Sequence, residues 1–238
     1  MSGDSVSIDG PDGRFDAYLS VPAELPAPGL VLMQYICGVN VVMRRLADEF
    51  AGHGYLVACP DLFWRQEPGV QLIQDPSNPD PEEQQRALAL NAGFDDAGAT
   101  ADLKATLAYL RDRPDCTGKV GDLGYCLGGR LAFLMAVRSD ADCSVGYYGV
   151  NIDHYLDEAG AVSRPLMLHI AGDDELCSEA AHDAIVGTLD PIDGVILHEY
   201  EGAGHAFALE GGHNYLAEAA ALADRRSLGF LGRHLSAG

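Results

Sequence analysis

The sequence predicts an α/β domain in which helices cover both faces of a mostly parallel β-sheet. Short apolar runs bounded by Gly, Pro or Asp recur along the chain, as buried strands do. Segments with a helical spacing of apolar residues lie between most of these runs, and such alternation is typical of parallel sheets. The 238 residues contain no internal repeat and no linker, so we expect one domain over residues 1–238.

Each predicted element carries a signal in the sequence. The first twenty residues predict an antiparallel hairpin at the sheet edge, because polar and apolar residues alternate around the turn signals Asp9-Gly10 and Asp12-Gly13. The predicted buried strands are residues 30–34, 55–59, 120–125, 145–148, 166–170 and 195–200. The predicted helices are residues 42–53, 82–110, 130–138, 178–189 and 215–234. The proline-rich stretch 66–81 predicts a surface loop that borders a pocket.

The chain is strongly acidic, with 36 acidic against 15 basic residues and a net charge of -21. Such a charge repels phosphate backbones and anionic membrane surfaces. The polar N-terminus MSGDSVSIDG does not resemble a secretion signal, and no run of about 18 apolar residues occurs. We therefore expect a cytoplasmic protein, monomeric or a small homo-oligomer, that acts on a small molecule and binds neither nucleic acid nor membranes.

The segment GDLGYCLGGR, residues 121–130, sets a cysteine among four glycines between a predicted strand and a predicted helix. Gly124, Cys126 and Gly128 match the G-x-nucleophile-x-G elbow, on which the nucleophile has strained backbone angles and glycines permit close packing. The dipole of the following helix favours a thiolate, and the amide of Leu127 would stabilise an oxyanion. The alternative is a packed core thiol, which we expect for Cys59 and Cys143.

Partners for a nucleophile at Cys126 follow in the chain order typical of elbow enzymes, acid and then histidine. The predicted strand 166–170 is followed by Asp173 and Asp174, and the strand 195–200 is followed by His205 in a glycine-rich loop. Order and topology together predict a Cys-His-Asp triad. On the residues alone, either aspartate can orient the histidine.

Five segments extend this pattern over nearly the whole chain. They are GVN at 38–40, CPDLF at 59–63, GYCLGG at 124–129, GYYGV at 146–150 and GAGHAF at 202–207. With them the chain resembles the dienelactone hydrolase family of α/β-hydrolases. The resemblance implies the α/β-hydrolase fold and cofactor-free hydrolysis of an ester or lactone. It also implies Cys126 as nucleophile, His205 as base, Asp174 as the residue that orients His205, and the Ile36 amide as second oxyanion donor.

The chain departs from this family at three positions of the expected pocket. Tyr35 stands where the family's dienelactone hydrolases carry an acidic residue, and a neutral phenol cannot repel or deprotonate a thiol as a carboxylate can. Gln84 and Leu209 stand where two arginines hold the substrate carboxylate. Arg86 could replace one arginine if the register shifts, although a solvated helix charge is its plainer interpretation. The sequence therefore predicts a pocket for a neutral or more apolar ester or lactone.

Other notable residues have structural interpretations. His169 lies in an apolar strand and is expected to be a hydrogen-bonded core residue. Asp122 interrupts another apolar strand, which indicates a hydrogen-bonded or edge position. The six cysteines lack CxxC spacing and the histidines lack metal-binding spacing, so we expect free thiols and no metal. A binding protein on the same fold, without turnover, is the alternative function.

Overall fold

The structure is a computed structural model that describes residues 3–73 and 80–236. The described residues form two compact units. Unit 1 contains the residues up to Gly121 and the last residues of the chain, from Leu235 onward. Unit 2 contains Asp122–His234. The strands are β1 (Asp4–Gly10), β2 (Gly13–Ser20), β3 (Ala27–Met33), β4 (Leu56–Pro60), β5 (Cys116–Tyr125), β6 (Ser144–Tyr147), β7 (Leu166–Ala171) and β8 (Val195–Tyr200). The helices are α1 (Val41–Gly52), α2 (Pro81–Ala92), α3 (Asp96–Arg111), α4 (Leu127–Arg138), α5 (Glu179–Leu189) and α6 (Ala217–Leu235), with a 3₁₀ helix at Ile152–Ala161.

The strand pairings confirm the predicted α/β fold with a mostly parallel sheet. The pairs β3–β4, β5–β6, β6–β7 and β7–β8 are parallel, while β1–β2 and β2–β4 are antiparallel. The expectation of one domain over residues 1–238 remains a prediction. Within the described ranges no helix is long and apolar enough to cross a membrane.

Unit 1 begins with the predicted hairpin. Strand β1 pairs only with β2 in this unit, in a register that sets Asp4 opposite Leu19 and Gly10 opposite Gly13. Strands β3 and β4 are apolar and almost wholly buried, as their sequences predict. Helices α1 and α3 pack against these strands. The side chain of Asn40 caps α1, accepting hydrogen bonds from the amides of Val42 and Met43 at 3.1 Å each.

The prediction of one helical segment over residues 82–110 was wrong, because two helices occupy it. Helix α2 ends at Ala92 with Gly93 as its C-terminal cap, and α3 starts after Asp95, whose carboxylate accepts a hydrogen bond from the Ala97 amide. Glycine and an aspartate cap interrupt the helix even though the apolar spacing continues across them. The predicted loop at 66–81 falls partly outside the described residues, which omit 74–79, including Pro76 and Pro79.

Unit 2 contains the end of β5 and strands β6, β7 and β8 in parallel register. Tyr125 lies opposite Tyr147, Tyr147 opposite His169, and Ala171 opposite Tyr200. The carboxyl ends of the four strands therefore lie along one edge of the sheet in this unit. Helix α4 packs on β6 and β7, and α5 packs on β8. Residues that follow β5, β7 and β8 emerge at the edge where α/β proteins bind ligands.

Two buried polar groups of unit 2 behave as the sequence predicts. The imidazole of His169 makes hydrogen bonds of 2.8 Å to the hydroxyls of Tyr200 and Ser227. Burial, helped by neighbouring His198, holds the pKa of His169 well below its usual range. Asp122 is fully buried, accepts a hydrogen bond from the Ser144 hydroxyl at 2.8 Å, and has a pKa raised well above its usual range by burial. In both residues burial therefore favours the uncharged form of the side chain.

An ion pair of unit 1 with one buried partner generates a stability prediction. The Asp102 side chain is fully buried and accepts hydrogen bonds from Trp64 Nε1, at 2.8 Å, and from the Arg65 guanidinium. Arg65 also pairs with Asp12, whose side chain is 62% exposed. We expect Asp102→Ala to lower the free energy of unfolding by about 2 kcal/mol, because it removes the charged acceptor of two partly buried donors. The control Asp12→Ala should cost less than about 1 kcal/mol. Urea unfolding followed by circular dichroism measures both, and equal losses would contradict the prediction.

Candidate active site

Cys126 occupies a strained turn between β5 and α4. Its backbone angles are φ 55° and ψ −109°, a conformation that residues with a β-carbon rarely adopt. The Cys126 amide donates a hydrogen bond to the carbonyl of Tyr147 at 3.0 Å, and its carbonyl accepts one from the amide of Arg130 at 3.1 Å. Regular structure on both sides therefore fixes the direction in which the sulfur projects.

Glycines around Cys126 permit backbone contacts that any side chain would block. A β-carbon on Gly124 would lie 2.2 Å from the carbonyl oxygen of Gly128, and one on Gly129 would lie 2.4 Å from that of Tyr147. Both oxygens belong to the backbone and cannot move aside cheaply. The first turn of α4, which begins at Leu127, can therefore pack closely against the ends of β5 and β6.

Asp174 and His205 form a nearly buried hydrogen-bonded pair. The imidazole Nδ1 lies 2.9 Å from Asp174 Oδ2 and 3.1 Å from Oδ1, and the side chains of Asp174 and His205 are 5% and 11% exposed. The amide of Leu176 donates to Asp174 Oδ1 at 2.9 Å, which fixes the carboxylate. The backbone amide of Asp173 donates a hydrogen bond to the carbonyl of Ala203 at 2.9 Å, and its side chain makes no hydrogen bond within residues 3–73 and 80–236. Of the two candidate aspartates, Asp174 is the one in contact with His205.

His205 carries a positive charge at neutral pH. Burial by itself lowers the pKa of the imidazole, but hydrogen bonds and charge interactions with Asp174 and Cys126 raise it from 6.5 to about 10. Both ring nitrogens then carry protons, one directed at Asp174. The Cys126 sulfur interacts with the imidazole and contributes to its raised pKa. An imidazolium beside a cysteine sulfur is the arrangement that favours the reactive thiolate.

Comparison with known proteins identifies the family. The sequence profile of the dienelactone hydrolase family matches residues 15–235. The chain belongs to the dienelactone hydrolase family. A carboxymethylenebutenolidase of Pseudomonas putida is 40% identical over 232 residues, 97% of each chain. A protein of Azospirillum brasilense, provisionally named carboxymethylenebutenolidase, is 44% identical over 237 residues, 95% of this chain and 96% of the relative.

A solved structure has the same fold. It is a protein of Klebsiella pneumoniae, described provisionally as a dienelactone hydrolase, which superposes with a TM-score of 0.81 over 98% of this chain and all of the other at 22% identity. The predicted α/β-hydrolase fold is thereby confirmed. Together with the family match, these findings make the chain a hydrolase of the dienelactone hydrolase type.

Tyr35, which the sequence resemblance predicts to stand in place of an acidic residue, is buried in unit 1. Its hydroxyl accepts a hydrogen bond of 2.7 Å from the side-chain amide of Asn40, which also donates to the carbonyl of Leu72 at 2.7 Å. The phenol is therefore bonded to the residue that caps α1, and that residue in turn is bonded to the loop that follows β4. Ile36, the predicted oxyanion donor, is the next residue and is partly buried.

The predicted pocket residues Gln84, Arg86 and Leu209 are less enclosed than Tyr35. Gln84 and Arg86 are exposed on α2 in unit 1. The Arg86 guanidinium pairs with Glu67, and these side chains are 48% and 42% exposed. Leu209 is partly buried in a turn of unit 2, where its amide donates to the carbonyl of Ala206 at 2.9 Å. Arg86 therefore already has a carboxylate partner within unit 1.

Two residues beside His205 were not predicted. Glu175 accepts a hydrogen bond from the His205 amide, and Asn214 donates one to the His205 carbonyl. Glu175 directly follows the paired aspartates, so its position in the acidic loop was a usable signal. Asn214 lies nine residues beyond His205 and had no signal, because only the folded loop brings it back. Among residues 3–73 and 80–236, no group of three or more His, Cys, Asp or Glu side chains is arranged to hold a metal ion.

The raised pKa of His205 gives a pH-dependent prediction. A base whose pKa is higher in the folded protein stabilises the fold below its unfolded pKa, 6.5, and that contribution is lost as the pH rises through about 10. We expect Cys126→Ala to lower the pKa of His205, since the sulfur's hydrogen bond and charge disappear. NMR titration of the His205 ring protons measures the pKa, and unfolding curves over the same pH range should show a smaller alkaline loss of stability in the variant. Cys116→Ala, which removes a thiol from unit 1, is the control; an unchanged His205 in Cys126→Ala would contradict the prediction.

Proposed function

We propose that the protein hydrolyses an ester or lactone through a Cys126–His205–Asp174 triad and an acyl-thioester intermediate. The observation that carries the proposal is the contact of one imidazole with both a buried carboxylate and the sulfur on a strained strand-to-helix turn. The two relatives named as carboxymethylenebutenolidases support the same class of reaction. The cytoplasmic location expected from the sequence remains a prediction.

The first half-reaction forms the thioester. The sulfur of Cys126 attacks the substrate carbonyl carbon, a C–S bond forms, and the carbonyl electron pair moves to the oxygen. The backbone amide of Leu127, at the start of α4, and that of Ile36 are the proposed donors to this oxyanion. The C–O bond to the alcohol then breaks, and protonated His205 gives its proton to the departing oxygen. In a lactone the alcohol remains part of the acylated molecule.

The second half-reaction releases the acid. His205, now neutral, takes a proton from water as the water oxygen attacks the thioester carbonyl. The C–S bond breaks, the carboxylic acid leaves, and the Cys126 sulfur again lies beside a protonated imidazole. Asp174 keeps its hydrogen bond to Nδ1 throughout, so the ring presents the same nitrogen to both steps.

The proposed substrate is neutral. Gln84 and Leu209 supply no cation where the family uses two arginines, and the guanidinium of Arg86 is paired with Glu67. A carboxylate on the substrate would therefore lack its charge-assisted partners, while the net charge of -21 adds a long-range repulsion that salt screens. An uncharged ester or lactone avoids both costs.

Substitutions within the triad test the mechanism. We expect Cys126→Ala to reduce kcat/KM for a p-nitrophenyl ester by about 10⁴-fold or more, because no other nucleophile stands on the turn. His205→Ala should cost about as much, and Asp174→Ala roughly ten- to a hundredfold less. Mass spectrometry of Asp174→Ala during turnover should detect the acyl group bound to Cys126. Near wild-type turnover in Cys126→Ala would show that Cys126 is not the nucleophile. Binding of the ester without turnover in the unmodified protein would favour a binding function.

A pair of matched lactones tests the charge of the pocket. We expect the methyl ester of a carboxylate-bearing lactone to have the higher kcat/KM. Two lost contacts of about 1.5–3 kcal/mol each imply a penalty for the anion of about a hundredfold or more relative to an enzyme that makes them. Leu209→Arg should reduce the preference, and Leu209→Met, of similar size but uncharged, should not. A preference of the unmodified protein for the anion would show that another cation reaches the pocket.

A further inference from the structure

The peptide groups of His205 are held from both sides by side chains that the proposed mechanism does not use. The amide of His205 donates a hydrogen bond to Glu175 Oε2 at 3.0 Å. Its carbonyl accepts one from Asn214 Nδ2 at 2.9 Å. Hydrogen bonds on both sides of one residue restrict the rotation of its backbone and therefore the direction of its side chain.

The two side chains also bind each other. Asn214 Nδ2 donates to Glu175 Oε1 at 2.9 Å, so both oxygens of the carboxylate are used and the contacts close a ring around His205. A β-carbon on the preceding residue, Gly204, would lie 2.8 Å from Asn214 Nδ2 and 3.3 Å from Glu175 Oε2. Glycine at this position therefore allows the pair to approach the backbone. We call this arrangement the Glu175–Asn214 clamp.

The backbone next to His205 needs such support. Ala206 has φ 63°, in the left-handed region that residues with a β-carbon seldom occupy. A strained residue keeps its conformation only when surrounding contacts determine it. The clamp provides such contacts on the N-terminal side of Ala206. On the C-terminal side, the Leu209 amide donates to the Ala206 carbonyl at 2.9 Å.

Charge adds to the effect of the hydrogen bonds. Burial by itself raises the pKa of Glu175. The opposing effects are larger and lower this pKa below its usual value; they are hydrogen bonds from the amides of His205 and Glu175 and from Asn214, and the charge of His205. Glu175 is thus ionised at neutral pH and can accept both hydrogen bonds. Its negative charge also faces the protonated imidazole, although its exposure to solvent weakens that attraction.

We infer that Glu175 and Asn214 are positioning residues that fix the His205 backbone so that the imidazole stays directed at Asp174. The catalytic consequence rests on the proposed function, whereas the effect on the geometry of His205 does not. Misplacing a catalytic group by about 1 Å can cost about a hundredfold in rate, so partial loss of this restraint should cost about tenfold. The expected signature is a lower kcat with little change in KM, because the clamp touches the base and not the substrate.

Four variants test the clamp. Glu175→Ala and Asn214→Ala each break it, and Glu175→Gln keeps one acceptor for the His205 amide but loses the charge. The matched control is Asp173→Asn, which removes a carboxylate from the same turn. The Asp173 side chain makes no hydrogen bond or ion pair with any residue of the described chain. Circular dichroism and Tm establish whether each variant is folded. If an alanine variant does not fold, Glu175→Gln is the variant that tests the clamp.

The first measurement is independent of turnover. NMR of protein labelled at histidine nitrogen follows the downfield Nδ1 proton of His205, which reports its hydrogen bond to Asp174. We expect this signal to be lost or shifted in both alanine variants, retained with a smaller shift in Glu175→Gln, and unchanged in Asp173→Asn. A signal unchanged in both alanine variants would overturn the inference.

The second measurement is the rate of ester hydrolysis. We expect kcat to fall about tenfold in each alanine variant with KM within about twofold, and the double variant to be no worse than either single one, because both side chains act on one backbone. An equal fall in kcat in Asp173→Asn would overturn the inference, because it would show that losing any carboxylate from this loop lowers the rate. If Cys126→Ala stays active while the alanine variants lose the His205 signal, the proposed function fails and the clamp stands.

Discussion

The backbone of Cys126 is the constraint on which the geometry of the site depends. A φ of 55° on a residue with a side chain costs about 1–3 kcal/mol, and it persists only where neighbouring structure requires it. Here the requirement comes from two regular elements. The Cys126 amide extends the β5–β6 ladder by one hydrogen bond to Tyr147, and its carbonyl begins the hydrogen-bonding pattern of α4 at Arg130. Relaxing the turn would break both.

The parallel order of the strands in unit 2 explains why Asp174 and His205 lie at the same sheet edge as Cys126. Strands β5, β7 and β8 belong to one parallel set, so the residues that follow them emerge at the same edge. Asp174 and His205 lie on short loops from that edge and reach each other at 2.9 Å. Beneath them, His169 links β7 to β8 through Tyr200 and to α6 through Ser227. The rigid strands thus place the loops, and hydrogen bonds within the loops orient the side chains.

Opposing electrostatic effects set the state of His205. Burial disfavours its positive charge, while Asp174 and Cys126 favour it, and the second effect is larger. Tyr35 stands at the position where the sequence resemblance leads us to expect an acidic residue, and its hydroxyl accepts a hydrogen bond from Asn40. In our proposal the charge balance of the reacting groups therefore depends on Asp174 and on the sulfur itself. The same absence of fixed charges, at Gln84 and Leu209, is the basis for the proposed neutral substrate.

The sequence by itself determined the fold class, the turn at Cys126 and the order of the candidate triad, because these depend on periodicity and on spacing along the chain. It failed at 82–110, where apolar spacing hid the interruption at Gly93 and Asp95. Spacing alone left Asp173 and Asp174 open, because adjacent residues of a turn differ in side-chain direction and not in composition. The family resemblance favoured Asp174, and the tertiary structure brings its carboxylate into contact with His205. The partners Glu67 for Arg86 and Asn214 for His205 were likewise decided by folding, because contacts between residues far apart along the chain leave no local pattern.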